Sequence, residues 1–120
     1  MIPRLRNVAV DCNDLDAMVR FWSELLDYRV LARDEKEALL APGDDVRPRL
    51  FFQTVPERPQ SKNRVHMDLD VGEDELEPAI ARAERLGARR VESFVEDDGY
   101  GWWVLADPEG NCFCIGRLPD

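Results

Sequence analysis

The sequence predicts an α+β fold made of two tandem modules, each with the element order strand, helix and three strands (βαβββ). Each half of the chain shows an alternating strand pattern, then one amphipathic helix, then three short strands. The halves match each other, because equivalent positions recur at offsets of 59, 60 and 61 residues: Asn7 and His66, Leu26 and Leu86, Phe52 and Phe113. Such repetition is typical of a duplicated unit. We therefore expect a single domain over residues 1–120, with module one at about 1–57 and module two at about 62–120.

In the first module, the opening strand alternates, with Val8 and Val10 on one face and Asn7 on the other. Asn13 or Asp14 then caps a helix. The apolar positions of this helix recur three and four residues apart: Leu15, Met18, Val19, Trp22, Leu25 and Leu26. The predicted bounds of the strand, the helix and the three later strands are residues 4–12, 14–27, 28–33, 37–41 and 49–55.

The second module repeats this order. Its opening strand places polar His66 between the apolar residues Val65 and Met67. Its helix begins with acidic residues, which the helix dipole favours there, and ends at Gly87. The apolar positions of this helix are Leu76, Ile80, Ala83 and Leu86. The predicted bounds, in the same order, are residues 64–71, 73–86, 89–95, 102–106 and 111–117.

Each predicted sheet carries a helix on one face only. The opposite faces, which are polar at Asn7 and His66, must be covered or must line a cleft. We therefore expect the two sheets to form a shared cup with the helices on the outer faces, and the cup to bind a small-molecule ligand. Sheet faces and edges that one chain leaves uncovered also favour a homodimer.

Composition excludes several classes of function. The chain is 44% hydrophobic and 34% charged, as expected for a water-soluble domain. Its 16 basic and 25 acidic residues give a net charge of −9, which opposes binding to nucleic acid or to an anionic membrane. Three cysteines are an odd number in a chain too large to need disulfides, and no apolar run has the length of a signal peptide or a membrane span. We expect a cytoplasmic protein.

Four segments together carry a family resemblance: Asn7-Val8-Ala9-Val10-Asp11, Leu25-Leu26-Asp27-Tyr28, Arg64-Val65-His66-Met67-Asp68-Leu69 and Asp107-Pro108-Glu109-Gly110-Asn111. With them, nearly the whole chain resembles the vicinal oxygen chelate superfamily, the fold of glyoxalases, bleomycin resistance proteins and extradiol dioxygenases. The last segment is a tight turn into the final strand. Together with Lys62-Asn63-Arg64-Val65-His66 and Phe113-Cys114-Ile115, it resembles the glyoxalase-like branch that is common in actinobacteria. The resemblance implies paired βαβββ modules and a dimer.

The resemblance also points to four residues. In metal-dependent members of the superfamily, the first and last strands of each module supply the ligands, typically His or Gln first and Glu last. The corresponding positions here are Asn7, Gln53, His66 and Cys114. His66 alone keeps the usual ligand type, and both carboxylates, which hard divalent ions prefer, are absent. We therefore expect no cofactor, with a divalent metal as the alternative.

His66 and Cys114 are the candidate catalytic residues. An imidazole with a near-neutral pKa can orient a substrate carbonyl or hydroxyl or exchange a proton with it. A cysteine close to it could act as a nucleophile if the thiol pKa were lowered. The alternatives are a hydrogen-bonded structural histidine and a small buried thiol. A cation site formed by His66, Asp68 and Asp70 is a further alternative.

The candidate substrate-binding residues combine polar groups with apolar walls: Asn7, Phe51, Gln53, His66, Trp102, Trp103 and Cys114. By alternation, Phe51 shares the face of Gln53. Adjacent strand residues point to opposite faces, so one of Trp102 and Trp103 should face a helix and the other the cup or a partner chain. Arg58, Lys62 and Arg64 form a basic cluster beside the connector between the modules. The cluster either belongs to a solvated linker or attracts an anionic substrate.

These observations predict a glyoxalase-like protein whose cup binds a small organic molecule without the usual divalent metal. One alternative is a metal-dependent lyase, isomerase or dioxygenase, in which the ion acts as a Lewis acid on two vicinal oxygens of the substrate. The other alternative is a drug-sequestering or structural dimer.

Overall fold

Two units make up the chain, and each is a four-stranded sheet with one helix. The computed structural model describes residues 1–119. The first unit ends at Arg58, and the second unit begins at Pro59. The first unit contains β1 (Asn7–Cys12), α1 (Leu15–Leu26), β2 (Arg29–Arg33), β3 (Glu37–Ala41) and β4 (Arg49–Thr54). The second unit contains β5 (Asp68–Asp70), α2 (Leu76–Leu86), β6 (Arg89–Ser93), β7 (Gly101–Ala106) and β8 (Cys112–Arg117).

The two sheets have the same topology. The strand order is β1-β4-β3-β2 in the first unit and β5-β8-β7-β6 in the second. In each sheet the opening strand pairs in parallel with the closing strand, and the other neighbours are antiparallel. Two parallel neighbouring strands need a long crossover connection between them, and in each unit the helix is part of that connection. The edge strands β2 and β6 each contain one register shift at equivalent places. The predicted α+β fold of two βαβββ modules is confirmed.

The core of the first unit lies between α1 and its sheet. Met18, Phe21 and Trp22 of α1 are fully buried, and the helix packs on β2, β3 and β4. The rings of Phe21 and Trp22 meet edge to face with their centroids 5.2 Å apart. The sheet contributes alternate residues of its central strands to this core: Ala38, Leu40, Leu50 and Phe52. The residues between them therefore point to the other face of the sheet.

The second core uses the same arrangement with fewer side chains from the helix. Ile80 and Ala83 of α2 are fully buried, and α2 packs on β6 and β8. The sheet contributes Leu105, Phe113 and Ile115, which are also fully buried. Cys112 and Cys114, which alternate with these residues on β8, therefore lie on the opposite face of the second sheet.

The structure decides which residue caps α1. The Asp14 carboxylate accepts a hydrogen bond from the Ala17 N–H at 3.1 Å, while the Asn13 side chain donates to two carbonyl oxygens beyond β4. The second helix begins at Leu76, three residues later than predicted. Glu75 lies at its start, and the Glu75 carboxylate accepts a hydrogen bond from the Gly72 N–H at 3.2 Å. The acidic residues before Leu76 therefore form a turn that precedes the helix.

The predicted strand over residues 64–71 is wrong in its first half, because β5 spans only Asp68–Asp70. Continuing the β5–β8 register backwards would place His66 opposite Cys112. The Asn63 side chain occupies that place, since it bonds both the N–H and the carbonyl of Cys112. Val65 is 79% exposed and contributes nothing to the core. Within residues 1–119, no helix is both long and apolar enough to span a membrane.

Candidate ligand-binding faces

Each sheet has a helix-free face, which we define as the face opposite its helix. On the first sheet this face carries Asn7 and Asp11 of β1 and Arg49, Phe51 and Gln53 of β4, since their neighbours on the strands face α1. The parallel register sets Asn7 beside Arg49 and Asp11 beside Gln53. The predicted sharing of one face by Phe51 and Gln53 follows from the same alternation.

The amide of Gln53 is held by a carboxylate. Its Nε2 donates to Asp11 Oδ1 at 2.8 Å across the β1–β4 pair. Asp11 and Gln53 lie 42 residues apart in the chain, and only the register makes them neighbours. This bond uses one donor of the Gln53 amide and orients its carbonyl oxygen on the helix-free face.

In the other register pair, Asn7 and Arg49, each residue has one buried side-chain atom without a hydrogen-bond partner in the described chain. Asn7 Oδ1 and Arg49 Nε are both buried, and neither has a hydrogen-bond partner among the residues that the structure describes. Native proteins pair nearly all buried polar atoms, so such a group calls for an explanation. Both residues line a cavity of about 280 Å³, together with Arg6, Arg47 and Pro48.

Arg6, Arg47 and Arg49 were not among the residues selected from the sequence. One signal was available, because the alternation that places Phe51 with Gln53 also places Arg49 on that face. The proximity of Arg6 and Arg47 depends on how the segments before β1 and β4 approach each other. The Arg47 guanidinium donates to the Leu5 carbonyl at 3.3 Å, which joins these two segments.

On the second sheet, the helix-free face brings Cys114 of β8 beside Asp68 of β5. The pKa of the Cys114 thiol is raised, first by burial and then by the negative charge and hydrogen bond of Asp68 and by Cys112, while Lys62 acts in the opposite direction. A nucleophilic cysteine needs the opposite shift, which favours the thiolate. This environment favours the protonated thiol.

His66 lies in the segment before β5, outside the sheet. Its side chain is exposed, and its Nε2 lies 3.0 Å from the Asn63 carbonyl oxygen. The sequence placed it on a strand, so this is a correction to its position. The cause is the Asn63 side chain, which takes the backbone groups of Cys112 that a longer β5 would have used.

The structure assigns Trp102 and Trp103 to different faces. Trp102 is the register partner of Gly116 and lies on the helix-free face, 38% exposed and stacked on Phe94 with ring centroids 5.2 Å apart. Trp103 is the register partner of Ile115 on the helix side, where the Arg90 guanidinium lies 5.0 Å from its ring centroid. Of the two indoles, Trp102 is therefore the one on the helix-free face.

A larger and more open cavity of about 840 Å³ lies at the start of α1 in the first unit. Its wall includes the capping carboxylate of Asp14 and an ion pair between Asp16 and Arg33. The surrounding charges are mostly acidic, from Asp34 and Glu35. Asp14 is used in capping, Asp16 and Arg33 pair with each other, and Asp34 accepts from two backbone N–H groups, so these four side chains do not need a ligand.

Comparison with known proteins agrees with this architecture. The sequence profile of the Glyoxalase-like domain family matches residues 7–116. No curated protein matches the sequence. Among solved structures, the chain is similar to a glyoxalase-related enzyme from Fulvimarina pelagi, with 19% identity and a TM-score of 0.76 over 98% of this chain and 90% of that one.

Two further structures share the fold. The fosfomycin resistance protein FosX from Listeria monocytogenes, as a mutant complexed with Mn(II) and 1S,2S-dihydroxypropylphosphonic acid, has 14% identity and a TM-score of 0.79, covering 99% of this chain and 93% of that one. A lactoylglutathione lyase from Agrobacterium tumefaciens has 16% identity and a TM-score of 0.69, covering 98% and 95%. Since the family profile covers residues 7–116, the chain belongs to the Glyoxalase-like domain family.

Proposed function

We propose that this protein binds a small organic molecule on the helix-free face of its first sheet and does so without a divalent ion. The observation that supports this proposal is the cavity of about 280 Å³ that Asn7 and Arg49 line beside β1 and β4. The same face carries the Phe51 ring and the hydrogen-bonded pair of Gln53 and Asp11. An apolar wall beside a few polar groups is the usual composition of a small-molecule site.

We propose that the helix-free face of the second sheet is also a ligand-binding surface, by its own side chains. Trp102 offers an exposed ring, and Cys114 offers a protonated thiol beside Asp68. His66 is exposed, and we propose that it orients or exchanges a proton with a carbonyl or hydroxyl group of the ligand. Trp103 is left out of the proposed site because it faces α2. The cytoplasmic location and the actinobacterial branch stay predictions.

The donors at the family's metal positions do not fit its usual divalent ion. Asn7 and Gln53 bring neutral amides, and the Gln53 amide is already bonded to Asp11. The raised pKa of Cys114 opposes the thiolate that a metal would need. Hard cations prefer carboxylate oxygens, and residues 1–119 contain no group of three His, Cys, Asp or Glu side chains arranged to hold a metal.

One observation favours a second candidate, a metal-dependent lyase, isomerase or dioxygenase. The FosX protein of L. monocytogenes, which shares this fold, was crystallised with Mn(II). His66 is the residue here that keeps a usual ligand type. This candidate requires His66 to turn away from the Asn63 carbonyl oxygen, which lies 3.0 Å from its Nε2.

We also propose that the chain forms a homodimer. Val91 of the edge strand β6 is 46% exposed, and Phe94 and Val95, which follow that strand, are 43% and 38% exposed. Apolar side chains along an unpaired sheet edge favour association with another surface. A structural dimer without a ligand is the corresponding alternative function. Light scattering coupled to gel filtration tests this, and a chain that is monomeric at micromolar concentration contradicts it.

The ligand proposal is tested by thermal denaturation against a broad panel of metabolites and antibiotics, in the presence of EDTA. A ligand that binds only the folded chain raises the Tm by mass action. We expect such a ligand, and we expect Asn7→Ala and Phe51→Ala to reduce the shift. Glu35→Ala, at an exposed position before β3, is the control that keeps it.

Two results would overturn this proposal. The first is a panel in which nothing raises the Tm. The second is a ligand response that EDTA abolishes and manganese, nickel, zinc or iron(II) restores, together with stoichiometric metal in protein purified without chelators. The second result would establish the metal-dependent candidate.

A further inference from the structure

The negative charge of the chain lies mainly in its second unit. Residues 59–120 contain seven basic and 14 acidic residues, so they carry a net charge of −7 out of the −9 of the whole chain. A field of this sign attracts cations and repels anions. A ligand of the second unit is therefore favoured when it carries a positive charge.

Two aromatic rings of the second unit each hold an arginine that also meets a carboxylate. The Arg90 guanidinium lies 5.0 Å from the ring centroid of Trp103 and is bonded to two glutamates. Arg117 lies 4.3 Å from the ring centroid of Tyr100, and its guanidinium is 3.8 Å from Glu73. A cation between a ring face and a carboxylate is attracted by both.

The indole of Trp102 has a free face and no cation. Its other face stacks on Phe94, with the ring centroids 5.2 Å apart and the ring planes inclined by 22°, which is close to the spacing of neighbouring strands. The free face therefore points towards β8, where the register partner of Trp102 is Gly116. Gly116 has no side chain to cover the indole, and Trp102 is 38% exposed. Within residues 1–119, no lysine or arginine lies on this ring.

Asp70 lies on the other side of Gly116. The register pairs these two residues, and the Cys114 thiol is hydrogen-bonded to Asp68 one pair earlier, so Asp70 points to the helix-free face as Trp102 does. Since neighbouring strands lie about 4.8 Å apart, the backbones of β5 and β7 are about 10 Å apart across Gly116. Asp70 belongs to none of the ion pairs within residues 1–119. We call the space bounded by Trp102, Gly116 and Asp70 the indole slot.

We propose that the indole slot binds the ammonium group of a small organic molecule. The ring and the carboxylate of the slot are the two groups that surround Arg117 between Tyr100 and Glu73, and the cation is the missing member. A methylated ammonium suits the slot, because aromatic faces bind such groups well. This inference rests on the proposed function, since it names the ligand class for the second sheet.

The test is a titration of the ¹⁵N-labelled protein with choline and with 3,3-dimethylbutan-1-ol, at constant ionic strength. The alcohol has the shape of choline, with a carbon atom in place of the charged nitrogen. The indole N–H resonance of Trp102, which is identified by its loss in Trp102→Leu, is the readout. We expect choline to shift this resonance and to bind roughly fivefold more tightly than the alcohol.

Three variants separate the carboxylate from the ring, with the Gly116 amide resonance as a second readout. Asp70→Asn keeps the shape and removes the charge, so choline should bind roughly threefold more weakly. Asp74→Asn makes the same charge change at an exposed position before α2 and should bind choline nearly as the wild type does. Trp102→Leu keeps an apolar side chain and should lose the preference for choline over the alcohol. If Trp102→Leu fails to fold, the two aspartate variants decide.

Three results would overturn the inference. Equal or tighter binding of the alcohol at Trp102 would show an apolar site without a preference for cations, and the proposed function would stand. An unchanged affinity for choline in Asp70→Asn would remove the carboxylate from the site. A Trp102 resonance that moves with protein concentration and with neither probe would assign the slot to a second copy of the chain. If no compound of any kind binds the protein, both proposals fail together.

Discussion

Asn63 bonds both backbone groups of Cys112, a residue 49 positions later in the chain. Its Nδ2 donates to the Cys112 carbonyl at 2.9 Å, and the Cys112 N–H donates to its Oδ1 at 2.7 Å. One side chain thus does what a neighbouring strand would do, at the start of β8. The pairing shortens β5 to Asp68–Asp70 and leaves His66 beside the sheet rather than within it.

Removing this side chain should destabilise the second unit. We expect Asn63→Ala to lower the free energy of unfolding by about 1–3 kcal/mol, because it leaves the partly buried Cys112 N–H and carbonyl unpaired. Asn63→Asp keeps the acceptor but sets a carboxylate oxygen against the Cys112 carbonyl oxygen, so it should destabilise the protein as well. Urea denaturation measures both, with the exposed neighbour Lys62→Ala as the control. Equal stabilities for Asn63→Ala and Lys62→Ala would show that the pairing contributes little.

Trp102 and Trp103 should respond to truncation in different ways. Trp103 faces α2 beneath the Arg90 guanidinium, so Trp103→Ala should cost about 2–3 kcal/mol, somewhat less than a fully buried tryptophan. Trp102→Ala should cost about 1 kcal/mol through its lost stacking on Phe94. Ligand-induced quenching of tryptophan fluorescence should survive in Trp103→Ala and disappear in Trp102→Ala. The reverse order of the two stabilities would contradict this assignment of faces.

Two glycines with positive φ should differ in their tolerance of alanine. At Gly101, with φ at 132°, an added Cβ would lie 2.2 Å from the Phe94 carbonyl oxygen, which belongs to the backbone and cannot turn aside. At Gly110, with φ at 86°, the Cβ would meet no atom of the described chain within 4 Å. Both variants carry backbone strain, so the clash should make Gly101→Ala less stable than Gly110→Ala by a further ~1–3 kcal/mol. Thermal denaturation of the pair measures the difference.

The thiol of Cys114 should react slowly near neutral pH. Burial, followed by Asp68 and Cys112, raises its pKa, so the reactive thiolate forms only at higher pH. Alkylation by iodoacetamide, followed at this residue by peptide mass spectrometry, should show a midpoint above that of a free cysteine. Asp68→Asn should lower the midpoint, whereas Asp70→Asn, two residues along the same strand, should leave it closer to the wild-type value.

The raised pKa of Cys114 also determines how the stability of the folded chain changes with pH. The folded-state pKa of Cys114 lies above that of the unfolded chain, so the unfolded state loses its proton first as the pH rises. The stabilisation from the protonated thiol is complete below the unfolded pKa and is lost as the pH rises from there through the folded pKa. Replacing Cys114 by Ala should flatten this alkaline decline, and an unchanged decline would assign it to another group.

The sequence predicted the fold well because its signals were local. The alternation around Val8 and Val10 and the spacing of the apolar residues in α1 each follow from a few adjacent residues. The offset near 60 residues then placed the second set of elements. The failure lay at residues 64–67, where an alternating pattern was read as strand although Val65 packs against nothing in the core. The pattern alone could not show that the Asn63 side chain bonds the backbone of Cys112, where a longer β5 would have paired with β8.

The candidate site was predicted less completely. Alternation correctly grouped Phe51 with Gln53, but the hydrogen bond from Gln53 to Asp11 needed the β1–β4 register. Arg49 was overlooked because an exposed-looking arginine on a strand is common and gives no sign of a buried, unpartnered Nε. The cavity around it depends on Arg6 and Arg47, which are distant in sequence from each other.

By itself, the sequence determined that this chain is a duplicated βαβββ protein, because periodicity and repetition are properties of neighbouring residues and of matching halves. It also determined that one indole of the Trp102-Trp103 pair must face a helix, since adjacent strand residues point in opposite directions. Only the tertiary structure decided which indole that is, which strand the Asn63 side chain meets, and which polar atoms beside Asn7 are left unpaired. The first outcome depends on the β7–β8 register, and the other two depend on contacts between segments more than 40 residues apart. Burial of a polar atom is settled only when both segments are in place.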